Sequence, residues 1–340
     1  MTIHDLTYGP DPADAPPLRW GILAAGGIAA KFAQDVPAHS SGSVVAVGSR
    51  SLERAQAFAE KHQIPTAYGN YADLVADEQV EAVYVASPHS EHLEHAMLAI
   101  EAGKPVLVEK SLTRNAVEAR ELFEAAKARG VFVMEAMWSR LLPHMVALRE
   151  IIASGEIGEV HMVTAEHGQW LNHVGDDHRL KNPDLAGGAM LDLGVYPVSF
   201  AYAVLGAPDQ ISAIGTTTAT GVDESDVITL RYGNRALALL GASLKGGTRN
   251  AATVTGTQGR VEIEPTFFAP TTLTVRPQGG EPRTLTPPVG GGFEYQAAEV
   301  ARCVAAGRTE SEVHSWADTI AVMEMMDEAR RQFGVVLPGE

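Results

Sequence analysis

The sequence predicts a two-domain protein: a doubly wound parallel α/β sheet, then an α+β domain on a large, mostly antiparallel, open-faced sheet. Three observations predict it. As far as Met137, short apolar runs alternate with alanine-rich amphipathic stretches, the β-α-β-α order of a sheet covered on both faces. Beyond about Ser154, strand-like runs follow one another with turn-formers between them and few helices. At 340 residues the chain has room for two hydrophobic cores.

In order, Arg19–Ala24, Val44–Val47, Ala82–Ala86, Pro105–Val108 and Val131–Met134 are the apolar strands. Leu52–His62, Glu91–Ala102 and Ala116–Arg129 are the helices between them. The second domain is expected to hold strands over Glu159–His167, Gln210–Ala219, Asp226–Tyr232, Arg235–Ser243, Ala252–Gly256, Arg260–Ile263 and Thr272–Val275. The glycine- and proline-rich stretch Pro277–Gly292 is expected to be a loop, and Tyr295–Ala306 and Ser315–Phe333 a helical tail. The expected division is a loose arm over residues 1–17, a first domain over 18–138 and a second over 139–340.

A formal charge of -16 argues against nucleic acid and anionic membrane as partners, since both need a basic surface. Cys303 is the only cysteine, so no intrachain disulfide forms and a reducing compartment is the simplest inference. The first residues carry neither a basic start nor an apolar core, and no apolar run is expected to reach the length of a membrane span. The expectation is a cytoplasmic protein.

The first strand runs into Ala24-Ala25-Gly26-Gly27-Ile28-Ala29, where the dinucleotide fingerprint G-x-G-x-x-G/A would fall. Its purpose is a tight turn that brings backbone N–H groups and a helix N-terminus to a pyrophosphate. Gly26, Gly27 and Ile28 are therefore cofactor-binding candidates, with Ala24 departing at the first glycine. The second strand ends in Gly48-Ser49-Arg50-Ser51. An acid there would hold the ribose and repel a 2′-phosphate. Ser49 and Arg50, helped by Arg54, can bind that phosphate instead, which favours NADP and leaves NAD possible. Ser87, Pro88, His89 and His92 follow the fourth strand, at the sheet edge where ligands gather. His89, His92 and His95 lack an acidic or thiol partner at helical spacing, so no metal site is expected. Glu109 and Lys110 close the fifth strand and complete the cofactor set.

Gly187-Gly188-Ala189-Met190-Leu191-Asp192-Leu193-Gly194-Val195-Tyr196-Pro197 sets a carboxylate and a phenol four residues apart behind paired glycines. On a helix that spacing puts Asp192 and Tyr196 on one face. A lysine, a carboxylate and a phenol around a nicotinamide suffice to move a proton and a hydride. Trp138, Arg140, His178 and Arg179 are candidates for the substrate, the tryptophan by stacking on a ring and the arginines by binding hydroxyls.

Gly21–Ala29, Pro88–His92, Ala102–Lys110 and Asp192–Tyr196, in that order, resemble the glucose-fructose oxidoreductase / inositol dehydrogenase / MocA family. Within it, Glu135-Ala136-Met137-Trp138-Ser139-Arg140 and the Asp192 segment look most like the branch holding dimeric dihydrodiol dehydrogenase and D-xylose dehydrogenase. The resemblance covers the chain from about Leu18 to its end. It implies a Rossmann domain, an open sheet that pairs between subunits as a homodimer or homotetramer, and a sugar or cyclic-diol substrate. It also implies that Lys110, Asp192 and Tyr196 meet at the nicotinamide, with Tyr196 as proton acceptor and Lys110 tuning it. Ser111 stands where the family has proline. Two other activities stay open: NAD-assisted glycoside hydrolysis, and NADPH sensing without catalysis.

Overall fold

The computed structural model describes residues 7–340. These fall into two units: Pro10–Trp138 with Gly290–Ile320, and residues 7–9 with Ser139–Val289 and Ala321–Glu340.

In the first unit, β1 (Arg19–Leu23), α1 (Gly27–His39), β2 (Ser43–Gly48), α2 (Leu52–His62), β3 (Thr66–Tyr68), α3 (Tyr71–Ala76), β4 (Ala82–Val85), α4 (His92–Glu101), β5 (Val106–Glu109), α5 (Ala116–Arg129) and β6 (Val133–Ala136) follow in turn. The strands form one parallel sheet in the order β3-β2-β1-β4-β5-β6. Every residue of β4, β5 and β6 is buried, as covering both faces of a sheet requires. The order reverses between β1 and β4, so the crevice at their C-terminal ends is the switch point where such sheets take ligands. Side-chain caps set the helix starts: Ser51, Asn70 and Asn115 accept the amides of Arg54, Asp73 and Glu118. Phe32 of α1 stacks on Tyr84 at 4.0 Å and meets Trp20 edge-on at 5.2 Å. β3 and α3 were not expected; three half-buried residues and a single turn-and-a-half carry no apolar run to betray them.

The second unit contains α6 (Pro143–Ala153), β7 (Val160–Gly168), α7 (Val195–Leu205), β8 (Gln210–Thr217), β9 (Asp223–Tyr232), β10 (Ala236–Ser243), β11 (Ala252–Gly256), β12 (Gly259–Ile263), β13 (Leu273–Pro277) and β14 (Arg283–Leu285); α8 (Phe293–Ala305) and α9 (Trp316–Gln332) end the chain. Its sheet runs β14-β13-β12-β11-β7-β10-β9-β8. The β7–β10 pair is parallel and the other ladders are antiparallel. Residues alternate buried and exposed along β9 and β10, so one face is covered and the other open. That open face carries Met162, Ile214, Val227, Leu237 and Leu239. β14 lies inside the stretch expected to be a loop. It is three residues long, and an ion pair from Arg283 to Glu156 pins it.

Three expectations are corrected. The arm is not loose where it is described: Arg302 donates to the Asp11 carbonyl at 2.6 Å, Ser41 to that of Ala13 at 2.9 Å, and Ala15 is buried. Its residues 1–6 lie outside the described residues. Gly290–Ile320 belongs to the first unit rather than with 139–289. The reason is the edge of β6, where Val133 N–H bonds the Thr309 carbonyl and the Trp316 indole bonds the Val133 carbonyl. Lys31 and Asp35 of α1 hold the same segment through the Gly291 carbonyl and the Phe293 amide. Finally, Pro183–Leu205 is long and apolar enough to cross a membrane, yet 83% of that window is buried inside the protein. A helix apolar on all sides is what a core position demands.

Phe32→Ala should lower stability by about 3–5 kcal/mol, because it removes a fully buried aromatic from two ring contacts. Chemical denaturation of wild type and variant checks this; a difference below about 1 kcal/mol would contradict the packing described.

Candidate active site

In the first unit the chain turns tightly between β1 and α1. β1 delivers the chain to Ala24, whose φ is +77° and whose N–H bonds the Gly48 carbonyl at 3.0 Å. This is the left-handed conformation that glycine adopts freely and other residues adopt at a cost, so Ala24 performs the tight turn without being glycine. Gly26 is the N-cap of α1, and no side chain caps that helix. A Cβ built on Gly26 or Gly27 would meet no atom within 4 Å. Open space thus stands before first-turn amides and the positive end of the helix dipole, which fits a pyrophosphate. Ile28 is partly exposed beside it.

At the end of β2, Ser49 is buried and its Oγ accepts the Ser51 amide at 3.4 Å. Arg50 is 74% exposed and pairs with Glu91 at 3.2 Å. Exposed pairs of this kind are worth about 0–1 kcal/mol, so a phosphate can take the guanidinium. Arg54 lies in the first turn of α2, and both arginine charges act on Tyr71, opposing the upward push that burial gives its phenol. Arg50 and Arg54 therefore both lie within charge range of Tyr71.

Pro88 opens a short helical turn over His89–Glu91. His89 Nε2 lies 3.2 Å from the Lys110 carbonyl. His92 is fully buried, its Nε2 2.8 Å from the Ser87 carbonyl and its Nδ1 3.0 Å and 3.2 Å from those of Ser111 and Leu112. Burial pushes it down to about 4, against those backbone contacts, and the ring sits between the loop after β4 and the loop after β5. The Ser87 hydroxyl is taken by His95 at 2.9 Å. Ser87 and His92 thus shape the cleft wall, and His89 stands against Lys110. Among the described residues no group of three His, Cys, Asp or Glu is placed to hold a metal.

Glu109 is buried behind Lys110. It accepts a hydrogen bond from the Tyr84 hydroxyl and another from the Lys110 amide at 3.2 Å. Burial pushes its carboxyl up to about 7, against the Tyr84 bond and the Lys110 charge. The Lys110–Ser111 peptide is cis, and Ser111 is fully buried. One residue on, the Leu112 amide bonds Glu135 at 3.0 Å, and Glu135 is met on its other oxygen by His314 at 2.8 Å. Tyr84 and His314 were not anticipated. A charge closing an apolar strand, as Glu135 does in Val131–Ala136, was the available signal.

In the second unit the Asp192 segment is helical but not regular. Met190–Gly194 forms one wide π turn before α7 begins at Val195, a feature common at functional sites. Asp192 is buried, and Arg179 donates to its Oδ1 at 2.9 Å. The Tyr196 ring stacks on Phe268 at 4.4 Å, and His167 lies 5.5 Å from it. Gln169 is 2.9 Å from His167 Nε2. The structure therefore brings Arg179 to Asp192, and adds Phe268 and His167 around Tyr196. His167, ending a strand, was a weak signal; Phe268, 72 positions beyond Tyr196 in the chain, gave none.

Other substrate candidates sit differently. Trp138 is buried in the first unit, edge-on to Phe293 at 4.8 Å with Lys31 5.8 Å away, so packing occupies much of its ring. His178 caps its own turn by accepting the Leu180 amide at 3.3 Å. The Arg140 carbonyl takes a bond from Arg149 at 2.8 Å. Burial, then the Arg140 charge, pushes Arg149 down to about 10.

Comparison with known proteins agrees with these two halves. Residues 18–137 match the model of an oxidoreductase family with an NAD-binding Rossmann fold, and residues 145–262 match the GFO/IDH/MocA C-terminal domain. The chain is 40% identical over 335 residues to trans-1,2-dihydrobenzene-1,2-diol dehydrogenase of Mus musculus, covering 94% of this chain and 98% of that one. It is 37% identical to a D-xylose 1-dehydrogenase (NADP(+)) of Hypocrea jecorina, covering 94% and 93%. A solved 3-ketoreductase from Actinomadura kijaniata, in complex with TDP-benzene and NADP, superposes with a TM-score of 0.81 at 26% identity over 94% of this chain and 98% of that one. A levoglucosan dehydrogenase shares the fold at a TM-score of 0.83 and 18% identity, over 94% and 98%. With both family models matched and relatives this similar along nearly its whole length, the chain belongs to the GFO/IDH/MocA family of NAD(P)-dependent oxidoreductases.

Proposed function

We propose that the protein is an NADP-preferring dehydrogenase acting on a sugar, such as D-xylose or D-glucose, or on a cyclic vicinal diol. The observation that carries this is the similarity to both a diol dehydrogenase and an NADP-dependent xylose dehydrogenase. Both named substrates bear hydroxyls on neighbouring carbons. Gly26 and Gly27 leave room for the pyrophosphate, and Arg50 and Arg54 meet the 2′-phosphate.

When bound, the nicotinamide supplies the hydride acceptor or donor. The chain's own residues handle the proton. Tyr196 accepts it from the substrate hydroxyl. A free phenol has a pKa near ~10, and an ammonium favours the phenolate, which is the part the family resemblance gives Lys110. Asp192, held by Arg179, orients the hydroxyl. Proton handling of this kind contributes about 10²- to 10⁴-fold. Phe268 gives the phenol an apolar neighbour, and Glu109 sets the backbone of Lys110.

The open sheet face supports a further proposal, that the protein is a homodimer or homotetramer paired through it. Five large apolar side chains stand on one face of β7–β10, where a monomer would favour polar ones. Cys303 is buried and its thiol is pushed up to about 12 by burial, in keeping with an inert cysteine in the cytoplasm.

The test is nicotinamide reduction with NADP and NAD separately, on aldoses, inositols, cyclic diols and an aryl glycoside. Turnover with NADP on one sugar or diol class is expected. Aryl-group release without net reduction would replace this function with redox-assisted glycoside hydrolysis, and silence with tight NADPH binding would replace it with sensing. Lys110→Ala and Tyr196→Phe should each lower kcat by about 10²-fold or more while the NADPH Kd from fluorescence titration stays put. Arg50→Ala should weaken kcat/KM for NADP by about tenfold, the worth of one charge-assisted hydrogen bond, and leave NAD unaffected; equal losses with both cofactors would argue against the phosphate role. Leu239→Arg should shift the sedimenting species to a smaller assembly, and an unchanged sedimentation coefficient would exclude this face as the interface.

A further inference from the structure

We propose that Asp223 is a positioning residue for the reaction, holding in place the head of the helix that carries Asp192 and Tyr196. The proposal rests on the function proposed above. Helices take their N-terminal caps from the residue just before them, but here that residue is Ala189, whose methyl group cannot accept a hydrogen bond. Asp223, at the start of β9 and 33 positions from Met190, does the task instead: it accepts the Met190 amide and a further backbone bond from Ala189. It is 1% exposed. A carboxylate taken this far from water needs such donors, and a negative charge at a helix head is favoured by the dipole.

The paired glycines follow from the same contact. A Cβ on Gly188 would lie 2.3 Å from Asp223 Oδ1, and Gly188 holds a φ of +125° that other residues rarely adopt. A Cβ on Gly187 would lie 2.5 Å from the Arg179 carbonyl. The Gly188 N–H bonds the Leu180 carbonyl at 2.9 Å. The two glycines thus admit Asp223 on one side, and on the other the backbone of the very arginine that pairs with Asp192. Burial pushes the Asp223 carboxyl up, against its backbone bonds and the Arg330 charge, and Asp226 is buried as well. Burial, then the Asp223 charge, pushes Asp226 well above the usual carboxylate range.

Asp223→Asn keeps the volume and removes the charge. The measurement is kcat and KM on D-xylose and trans-cyclohexane-1,2-diol with NADP, beside near-UV circular dichroism and NADPH titration. The expected result is kcat lowered by about 10²-fold, the scale for misplacing a reacting group by an ångström, with the NADPH Kd and the dichroism unchanged. Asp226→Asn, at a carboxylate whose backbone bond goes to Ala242 rather than to the helix head, should keep wild-type kcat. A folded Asp223→Asn with wild-type kcat overturns the proposal. If Asp223→Asn does not fold, Gly188→Ala decides by crowding the carboxylate without removing it: folded and slow supports the role, folded and fast overturns it. Failure of both to fold would also overturn it, as Asp223 would then be a general stability residue. Wild-type silence on both substrates, or a fully active Tyr196→Phe, removes the underlying function and this role with it. A dead Tyr196→Phe beside a fully active Asp223→Asn removes only the role.

Discussion

Removing a carboxylate from water has to be matched by donors that cannot wander, and three buried acids impose that demand on the segments bearing the candidate chemistry. Glu109 takes the amide of Lys110, Glu135 that of Leu112, and Asp223 that of Met190. Each bond joins a strand residue to irregular backbone, where no ladder supplies partners. The cost of leaving any of these acids unmet, about 1–3 kcal/mol or more for a charged group, fixes backbone that would otherwise be loop. Lys110 and Asp192 inherit their positions from this accounting of hydrogen bonds.

Around that frame the electrostatics are local. The chain carries a formal charge of -16, yet the crevice at the ends of β1 and β2 offers a helix head, uncapped amides and two arginines. Bulk charge governs non-specific partners and steering, while a dianionic phosphate responds to what lies within a few ångströms. Glu91 holds Arg50 in the meantime by an exposed pair weak enough to yield. A net acidic protein can thus carry a phosphate site without contradiction.

How much of this was legible depended on how far apart the partners lie in sequence. The boundaries of α2, α5 and β11 were read to the residue, because caps, periodicity and turn-formers are local signals. The glycine pair before Asp192 was legible as a pattern but not as a cause, since Asp223 is remote from it. Trp138 was offered as a substrate platform because an aromatic beside a cleft reads that way. Its packing against Phe293 depends on a segment more than 150 positions later in the chain, which no local pattern announces. His92 reads as lining the cofactor cleft or capping its helix; that its ring lies against three carbonyls, two of them from the loop after β5, has no local signal. The π turn at Met190–Gly194 was equally hidden, for its residues would suit an ordinary helix.

The return of Gly290–Ile320 to the first unit bears on how the chain is made. Synthesis is vectorial, and domains generally fold as units as they emerge. Here the edge strand β6 is complete by Ala136, but its hydrogen-bonding partner at Thr309 and the His314 that meets Glu135 are translated far later. A nascent chain therefore exposes an unpaired strand edge and a buried-type acid without its partner throughout translation of the second sheet. The nucleotide-type unit closes only after the whole second sheet has been translated.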